Sequence, residues 1–178
     1  MLELRVAALL FFAAPVLLPG DPAPPRFEQY PVSNIFRGTP AAPILATPNL
    51  RAYRTRIRSA VKTGEGVRRP EGEPQHPGPN FAGRFILVEI MCGSPCLVSV
   101  LVDAVTGQIH MLPNSVGIHL GFFGGGPYLP ELEFRLDSNI LVIKPCPNDS
   151  PVEDHYSLWT GTRWKLLQRI PQPARKLD

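Results

Sequence analysis

The sequence is poor in the residues from which most active sites and metal centres are built. It has three cysteines and four histidines, and no two histidines stand at HxxH or HxxxH spacing. A Gly-x-Ser-x-Gly nucleophile elbow is also missing. Because zinc sites and serine hydrolases depend on such patterns, we assign no catalytic residue, no metal ligand and no cofactor. The sequence favours a protein that is not an enzyme.

A hydrophobic run long enough to cross a membrane is missing as well. Residues 6–18 are apolar, follow Arg5 and contain Pro15, whereas a transmembrane helix needs about 20 apolar residues. A charged start followed by a short apolar run is typical of a secretory signal peptide. We therefore predict a signal peptide over residues 1–20, a periplasmic or secreted location, and no membrane span once the signal is removed. An uncleaved anchor is the alternative.

Proline, in contrast, is abundant, and it separates the predicted segments. Residues 21–46 contain PAPP and PAAP, and such a stretch buries too little apolar area to offset its ordering entropy. We predict an extended tether there. Residues 64–79 end in RRPEGEPQHPGP and predict an irregular linker. Residues 47–170 are predicted to form a single globular domain, and residues 171–178 a disordered tail.

An amphipathic helix is predicted over residues 47–63. Thr47 suits the N-cap, Pro48 the first helical position, and Gly64 the far end. One face is apolar at helical spacing, with Leu50, Tyr53, Ile57, Ala60 and Val61.

The other face of this helix is basic and includes Arg51, Arg54, Arg58 and Lys62. Residues 51–69 hold seven basic residues and one acidic residue, a local balance of +6 against +3 for the whole chain. Such a face suits an anionic protein or lipid surface, or it is a solvated face that keeps an exported protein soluble. Nucleic acid is disfavoured, because no aromatic or helix-turn-helix pattern accompanies the arginines.

The longest apolar region after the start predicts a central β-hairpin. Residues 84–91 and 96–102 are rich in Ile, Val, Leu and Phe, and Gly93, Ser94 and Pro95 separate them. After Arg84, which begins the first run, the only polar residues inside the two runs are Glu89 and Ser99. A strand with one wet face would alternate more strictly, so we expect both faces to be covered.

Cys92 and Cys96 flank the loop of this hairpin. Opposite residues in closer antiparallel pairs have Cβ atoms about 4.5–5.5 Å apart, near the separation that a disulfide needs. We predict a Cys92–Cys96 disulfide that fixes the loop and the register. A metal site would need a further His or Cys at zinc-like spacing, and a redox pair prefers C-x-x-C at a helix start. Whether Cys146 is a buried free thiol or bonds one of the pair stays open.

The rest of the domain predicts further hairpins. Residues 131–136, which alternate between polar and apolar, and residues 140–144 form a hairpin around a turn at 137–139. Trp159 falls opposite Trp164 if Gly161 and Thr162 form the turn. The fold class is therefore α+β, mainly β, with one N-terminal amphipathic helix packed on an antiparallel β-meander of about seven strands over residues 80–170.

A glycine-rich loop interrupts the predicted meander at residues 113–130. No Lys-Ser or Lys-Thr and no helix start follow its three consecutive glycines, so a phosphate-binding loop is not indicated. Phe122, Phe123 and Tyr128 make this loop a candidate wall of a partner-binding site.

Residues 79–96 resemble a family of small exported bacterial proteins. The shared features are an Arg-rich helix, a Pro-Asn-Phe-Ala-Gly lead-in at residues 79–83 and a Cys-Gly-x-x-Cys-type loop, which here has five residues. The Val-Asp-Ala-x-Thr-Gly turn at 102–107 and the Arg-x-Asp-Ser turn at 135–138 fit the same pattern. The resemblance covers residues 47–170. It implies export and a domain boundary, and it implies no reaction.

The function that we expect is that of an exported binding or interaction module, inhibitor-like, in the bacterial envelope. It would use either the arginine face or the Gly/Phe loop. One alternative is a small envelope hydrolase that uses Cys146 or His155. Another is a purely structural envelope component.

Export and the disulfide are tested together by the intact mass of protein purified from the exported compartment, with and without reduction. We expect a mature chain that starts near residues 21–24 and a peptide that links Cys92 to Cys96. An unprocessed chain with three free thiols would contradict both expectations.

Overall fold

The computed structural model describes residues 23–70, 73–93, 96–112, 131–144 and 153–172, without the side chains of residues 91–97. Within them it shows a fold of the α+β class, mainly β, with seven strands, which confirms the coarse prediction. The strands lie in two antiparallel sheets rather than one, each in chain order. The three-stranded sheet consists of β1 Phe85–Gly93, β2 Cys96–Asp103 and β3 Ile109–Met111. The four-stranded sheet consists of β4 Glu131–Phe134, β5 Ile140–Lys144, β6 Glu153–Trp159 and β7 Trp164–Pro171.

The predicted helix forms as two segments, α1 Pro48–Ala52 and α2 Arg54–Thr63. The Thr47 hydroxyl accepts a hydrogen bond from the Leu50 amide at 3.3 Å, and Gly64 ends α2 in the left-handed conformation. Both caps are as predicted. Tyr53, with φ −100° and ψ 12°, interrupts the helix. The spacing of the apolar residues does not predict this interruption.

Over residues 85–90 and 98–103, the β1–β2 hairpin is buried on both faces, as expected. Ile86, Val88 and Ile90 face one core cluster together with Ile57 and Val61 of α2. Leu87 and its neighbour across the hairpin, Leu101, face a second cluster that includes residues of the four-stranded sheet. Glu89 and Ser99, which lie inside the apolar runs of the hairpin, are cross-strand partners. Glu89 lies 2.7 Å from a guanidinium nitrogen of Arg68.

Aromatic rings join the two sheets in the second cluster. Trp159 and Trp164 are cross-strand partners, as predicted, and their ring centroids lie 4.8 Å apart. Such a pair contributes about 0.5–1 kcal/mol to the stability of the hairpin. Phe85 meets Trp159 edge-on at 5.3 Å. The Trp164 indole donates a hydrogen bond to the Met111 carbonyl at 3.0 Å, which links β7 to β3.

Residues 27–45, here called the strap, contact the turns and lead-ins next to strands of both sheets. At one end the Ser138 hydroxyl donates to the carbonyl of Phe27 at 2.9 Å, and the Val32 amide donates to the Asp137 carbonyl at 3.0 Å. At the other end, Phe36 and Leu45 pack against the first core cluster. The segment that we predicted as a tether is thus in contact with the sheets. The domain boundary at residue 47 stays a prediction.

Two glycines allow the strap to approach the three-stranded sheet. Gly83 and Gly107 have φ values of +74° and +75°. A Cβ at Gly83 would overlap the Asn34 carbonyl oxygen, and a Cβ at Gly107 would overlap that of Ala42. The backbone contacts are close in both places, since Phe36 donates to Gly83 and Ile44 donates to Gly107 at 2.8 Å each.

The predicted linker over 64–79 has no regular secondary structure in its described part, and arginine side chains hold it in place. The Arg69 guanidinium donates to the carbonyls of His76, Gly78 and Pro79 at 2.7–2.8 Å. Buried Asn80 then accepts from the Leu87 amide at 2.7 Å and donates to the Leu87 carbonyl at 3.1 Å. The lead-in to β1 is therefore fixed by polar contacts.

The predicted signal peptide and Cys146 lie outside the described residues. Two residues of the predicted tail are described. Pro171 ends β7, and the side-chain amide of Gln172 donates a hydrogen bond to the Asp154 carboxylate at 2.9 Å. In the loop of the hairpin, Gly93 and not Cys92 is the backbone partner of Cys96, with an irregularity between Met91 and Gly93. The Cys92–Cys96 disulfide stays a prediction.

Substitution of Gly107 by alanine tests whether the strap contributes to stability. We expect Gly107→Ala to lower the free energy of unfolding well beyond the roughly 1–2 kcal/mol that the left-handed conformation costs a side chain, because the new methyl group displaces the strap. Gly66→Ala is the matched control, since Gly66 has φ +72° and open space around its Cβ position. Equal losses for the two variants in urea unfolding would contradict a stabilising strap.

The ion pairs of Arg135 predict that the strap is held less firmly in acid. Arg135 lies 2.6 Å from Glu28 of the strap and 2.8 Å from Asp137. A backbone hydrogen bond and then Arg135 lower the pKa of Glu28, and a hydrogen bond from Arg135 lowers the pKa of Asp137. Lowered carboxyl pKa values stabilise the fold above the unfolded values of about 4, and this contribution is lost as the pH falls through the folded values.

The measurement is urea unfolding of wild type and Glu28→Gln at several pH values. We expect wild type to be the more stable at neutral pH, and the difference to shrink as the pH falls below about 4. Glu65→Gln, at an exposed position outside the strap, is the control. A difference between wild type and Glu28→Gln that does not change with pH would rule out this ion pair as its source.

Candidate functional site

Of the four basic residues predicted as partner-binding, only Arg58 and Lys62 line the same groove. Arg51 Nε donates to the Leu45 carbonyl at 3.2 Å, and a guanidinium nitrogen of Arg54 donates to the Arg51 carbonyl at 3.3 Å. These two side chains are exposed but are directed towards the backbone around α1. Arg58 and Lys62 stand one turn apart on α2 and line a groove instead.

The groove lies between α2 and the strap and has a volume of about 580 Å³. Arg37 of the strap lines it together with Arg58 and Lys62, so cations from two distant parts of the sequence meet there. Its other lining residues are small or apolar apart from one hydroxyl: Gly38, Thr39, Pro40, Ala42, Pro43, Val61 and Pro77. No acidic side chain is among the lining residues.

The three cations of the groove differ from many other basic side chains of the protein. Arg68, Arg84, Arg135 and Lys144 each lie within salt-bridge distance of a carboxylate. Within the described ranges, Arg37, Arg58 and Lys62 have no such partner. The groove therefore concentrates a formal charge of +3 that the described residues do not neutralise.

A neighbouring groove shows that this charge is local. It has a volume of about 610 Å³ and lies where α1 meets β3. Ile44, Leu50, Ile109 and Met111 are among its lining residues, and none of its lining residues is a lysine, an arginine or a carboxylate. The two sides of the helical region thus offer different surfaces, one apolar and one cationic.

Arg37 is the residue of the groove that sequence reasoning missed. It lies in the segment predicted as a tether and shares no helical spacing with Arg58 or Lys62. Only the hydrogen bonds that hold the strap, such as Phe36 to Gly83, place it opposite α2. The sequence alone carries no local signal for this placement.

None of the other predicted site residues that the structure describes lines this groove. Phe122, Phe123 and Tyr128 lie outside the described residues, as does Cys146. His155 lies on β6, with its Nε2 atom 3.9 Å from a carboxylate oxygen of Glu153. Among the residues that the structure describes, no group of three or more His, Cys, Asp or Glu could hold a metal ion.

In a polar cluster on the four-stranded sheet, the pKa values of Lys144 and Tyr156 are both raised. The Lys144 ammonium donates a hydrogen bond to Glu133, and this bond raises the pKa of Lys144. Burial, and next the charge of Asp154, raises the pKa of Tyr156. Both shifts favour the protonated side chains at neutral pH, whereas nucleophilic or basic catalysis requires a lowered pKa. The cluster is therefore suited to holding strands together.

The chain matches no protein-family model, no curated protein and no solved structure. Among the described residues, no helix is both long enough and apolar enough to span a membrane.

Proposed function

We propose that this protein is an exported, inhibitor-like binding module. Its basic groove binds the surface of an anionic protein or of an anionic lipid membrane. The observation that carries the proposal is the meeting of Arg37, Arg58 and Lys62 in one groove that has no acidic lining residue. Like charges that line one groove repel one another, and an anion bound in the groove relieves this repulsion.

The scaffold supports this role. The segment α2 buries Ile57, Ala60 and Val61 and exposes Arg58 and Lys62. The cations are thus carried by an element whose other face is fixed in a core. A rigid presentation of charge reduces the ordering cost of binding.

Nucleic acid is a poorer candidate partner. The lining of the groove contains no aromatic side chain on which a base could stack. A periplasmic or secreted location, which we propose from the signal-like start and from the resemblance to exported proteins, also brings the protein to envelope lipids and acidic proteins rather than to nucleic acid.

Charge reversal tests the proposal. We expect Arg58→Glu combined with Lys62→Glu to weaken binding to phosphatidylglycerol vesicles or to polyglutamate by at least about tenfold at low salt, since each basic residue contributes about 1 kcal/mol near an anionic surface. Binding by wild type should also weaken as salt is added.

The matched control is Arg163→Glu combined with Lys165→Glu. Both residues are exposed and lie at the hairpin between β6 and β7, outside the groove, and the pair changes the net charge equally. Vesicle co-sedimentation and fluorescence anisotropy measure the two kinds of binding. Equal losses in both double variants would mean that net charge, and not the groove, governs binding.

A further inference from the structure

The groove has features that select among anions. We infer that it binds a doubly charged phosphoryl group, such as that of a phosphate monoester; this inference rests on the proposed function and specifies its ligand. The argument uses the charge of the groove, the donors that line it, and the chemistry of its walls.

Charge matching favours a dianion. Arg37, Arg58 and Lys62 place three positive charges in one groove without an acidic lining residue. A carboxylate, a sulfate ester or a phosphate diester brings one negative charge and leaves a surplus of two. A phosphate monoester brings about −1.5 to −2 at neutral pH and leaves the smallest imbalance among these common groups.

The donors also favour a phosphoryl group. Each guanidinium presents a planar fork that bonds two oxygens of a phosphate at once, and the two forks belong to opposite sides of the groove, Arg37 to the strap and Arg58 to α2. Lys62 adds a third cation one helical turn from Arg58. The three terminal oxygens of a monoester can accept from all three side chains, whereas a carboxylate has two oxygens.

The walls of the groove leave room for more than phosphate. Pro40, Pro43, Pro77 and Val61 give the groove apolar contact surface, whereas Arg37, Arg58 and Lys62 are exposed to solvent. The volume of about 580 Å³ is that of a small-molecule site and exceeds what a phosphate ion fills. The group esterified to the phosphate would pack against the prolines.

Binding should be linked to docking of the strap. Arg37 and its neighbours Pro40 and Pro43 come from the strap, which is held here by hydrogen bonds from Phe36 to Gly83 and from Ala41 to Ala104 at 2.8 Å. A ligand that binds only the docked form stabilises that form. Phosphate binding should therefore slow proteolysis within residues 27–45.

The test compares phenyl phosphate with phenyl sulfate, which has nearly the same shape but a single charge. We expect calorimetry at about pH 8 to give a dissociation constant in the millimolar range or below for phenyl phosphate. The affinity should exceed that for phenyl sulfate by about tenfold or more and should fall towards pH 5, as the phosphate, with a second pKa of about 6, is protonated. Equal affinity for the two esters would overturn the inference.

A conservative variant separates phosphoryl recognition from general attraction. Arg37→Lys combined with Arg58→Lys keeps the charge but removes both guanidinium forks. We expect it to lose about tenfold in affinity for phenyl phosphate while it still binds polyglutamate. Arg163→Lys combined with Arg169→Lys, at exposed positions outside the groove, is the matched control. Unchanged affinity for phenyl phosphate in the double variant would contradict the inference.

Vesicles identify the source of the phosphoryl group. Phosphatidic acid carries a phosphate monoester and phosphatidylglycerol a diester. Binding to phosphatidic acid in preference to phosphatidylglycerol, with competition by phenyl phosphate, supports the inference and points to a lipid headgroup. Binding of phenyl phosphate without that preference supports it and points to a soluble ester. Binding of neither monoester overturns it.

The failure of this inference and the failure of the proposed function give different results. If polyglutamate or phosphatidylglycerol binding is lost in Arg58→Glu with Lys62→Glu, but phenyl phosphate does not bind, the binding module stands and the phosphoryl site is wrong. If phenyl phosphate binds but charge reversal in the groove leaves surface binding unchanged, the groove takes a small ligand and the proposed docking of surfaces is wrong.

Discussion

Burial of the β1–β2 hairpin on both faces is the constraint on which the other elements depend. Successive residues of β1 supply two different cores, so Ile86 and Val88 need cover on one side while Phe85 and Leu87 need it on the other. The two helical segments with the second half of the strap cover the first side, and the four-stranded sheet covers the second. Most of the stability of such an arrangement comes from apolar area removed from water, at about 25 cal/mol per Å².

The cationic groove follows from this layering. The strap and α2 cover the same face of the hairpin side by side, since Phe36 and Ile57 belong to one core cluster. Each segment directs apolar side chains inwards and leaves its charged side chains at the surface. Arg37 and Arg58 meet along the seam between two covering segments. A site of this kind forms without a loop of its own. Because residues of the strap line the groove, the shape of the groove depends on the position of the strap.

Local features of the fold could be predicted from the sequence, and non-local ones could not. The caps at Thr47 and Gly64 and the pairing of Trp159 with Trp164 depend on residues a few positions apart, so a short pattern contains the whole interaction. The division into two sheets and the course of the strap depend on partners that are far apart in sequence. A proline-rich composition indicates only the local conformational preference of residues 21–46. It does not predict the backbone hydrogen bonds that these residues donate to the distant Gly83 and Gly107. Arg37 was missed for that reason.

The sequence separation of the strap contacts also sets an order for folding. Phe27 meets Ser138 across 111 positions, and Glu28 meets Arg135 across 107. Closing so long a loop is entropically costly and yields little until both partners are already in place. Each hairpin, by contrast, closes over a few residues. The contacts of Phe27 and Glu28 should therefore form after the hairpins, so the first end of the strap docks late in folding.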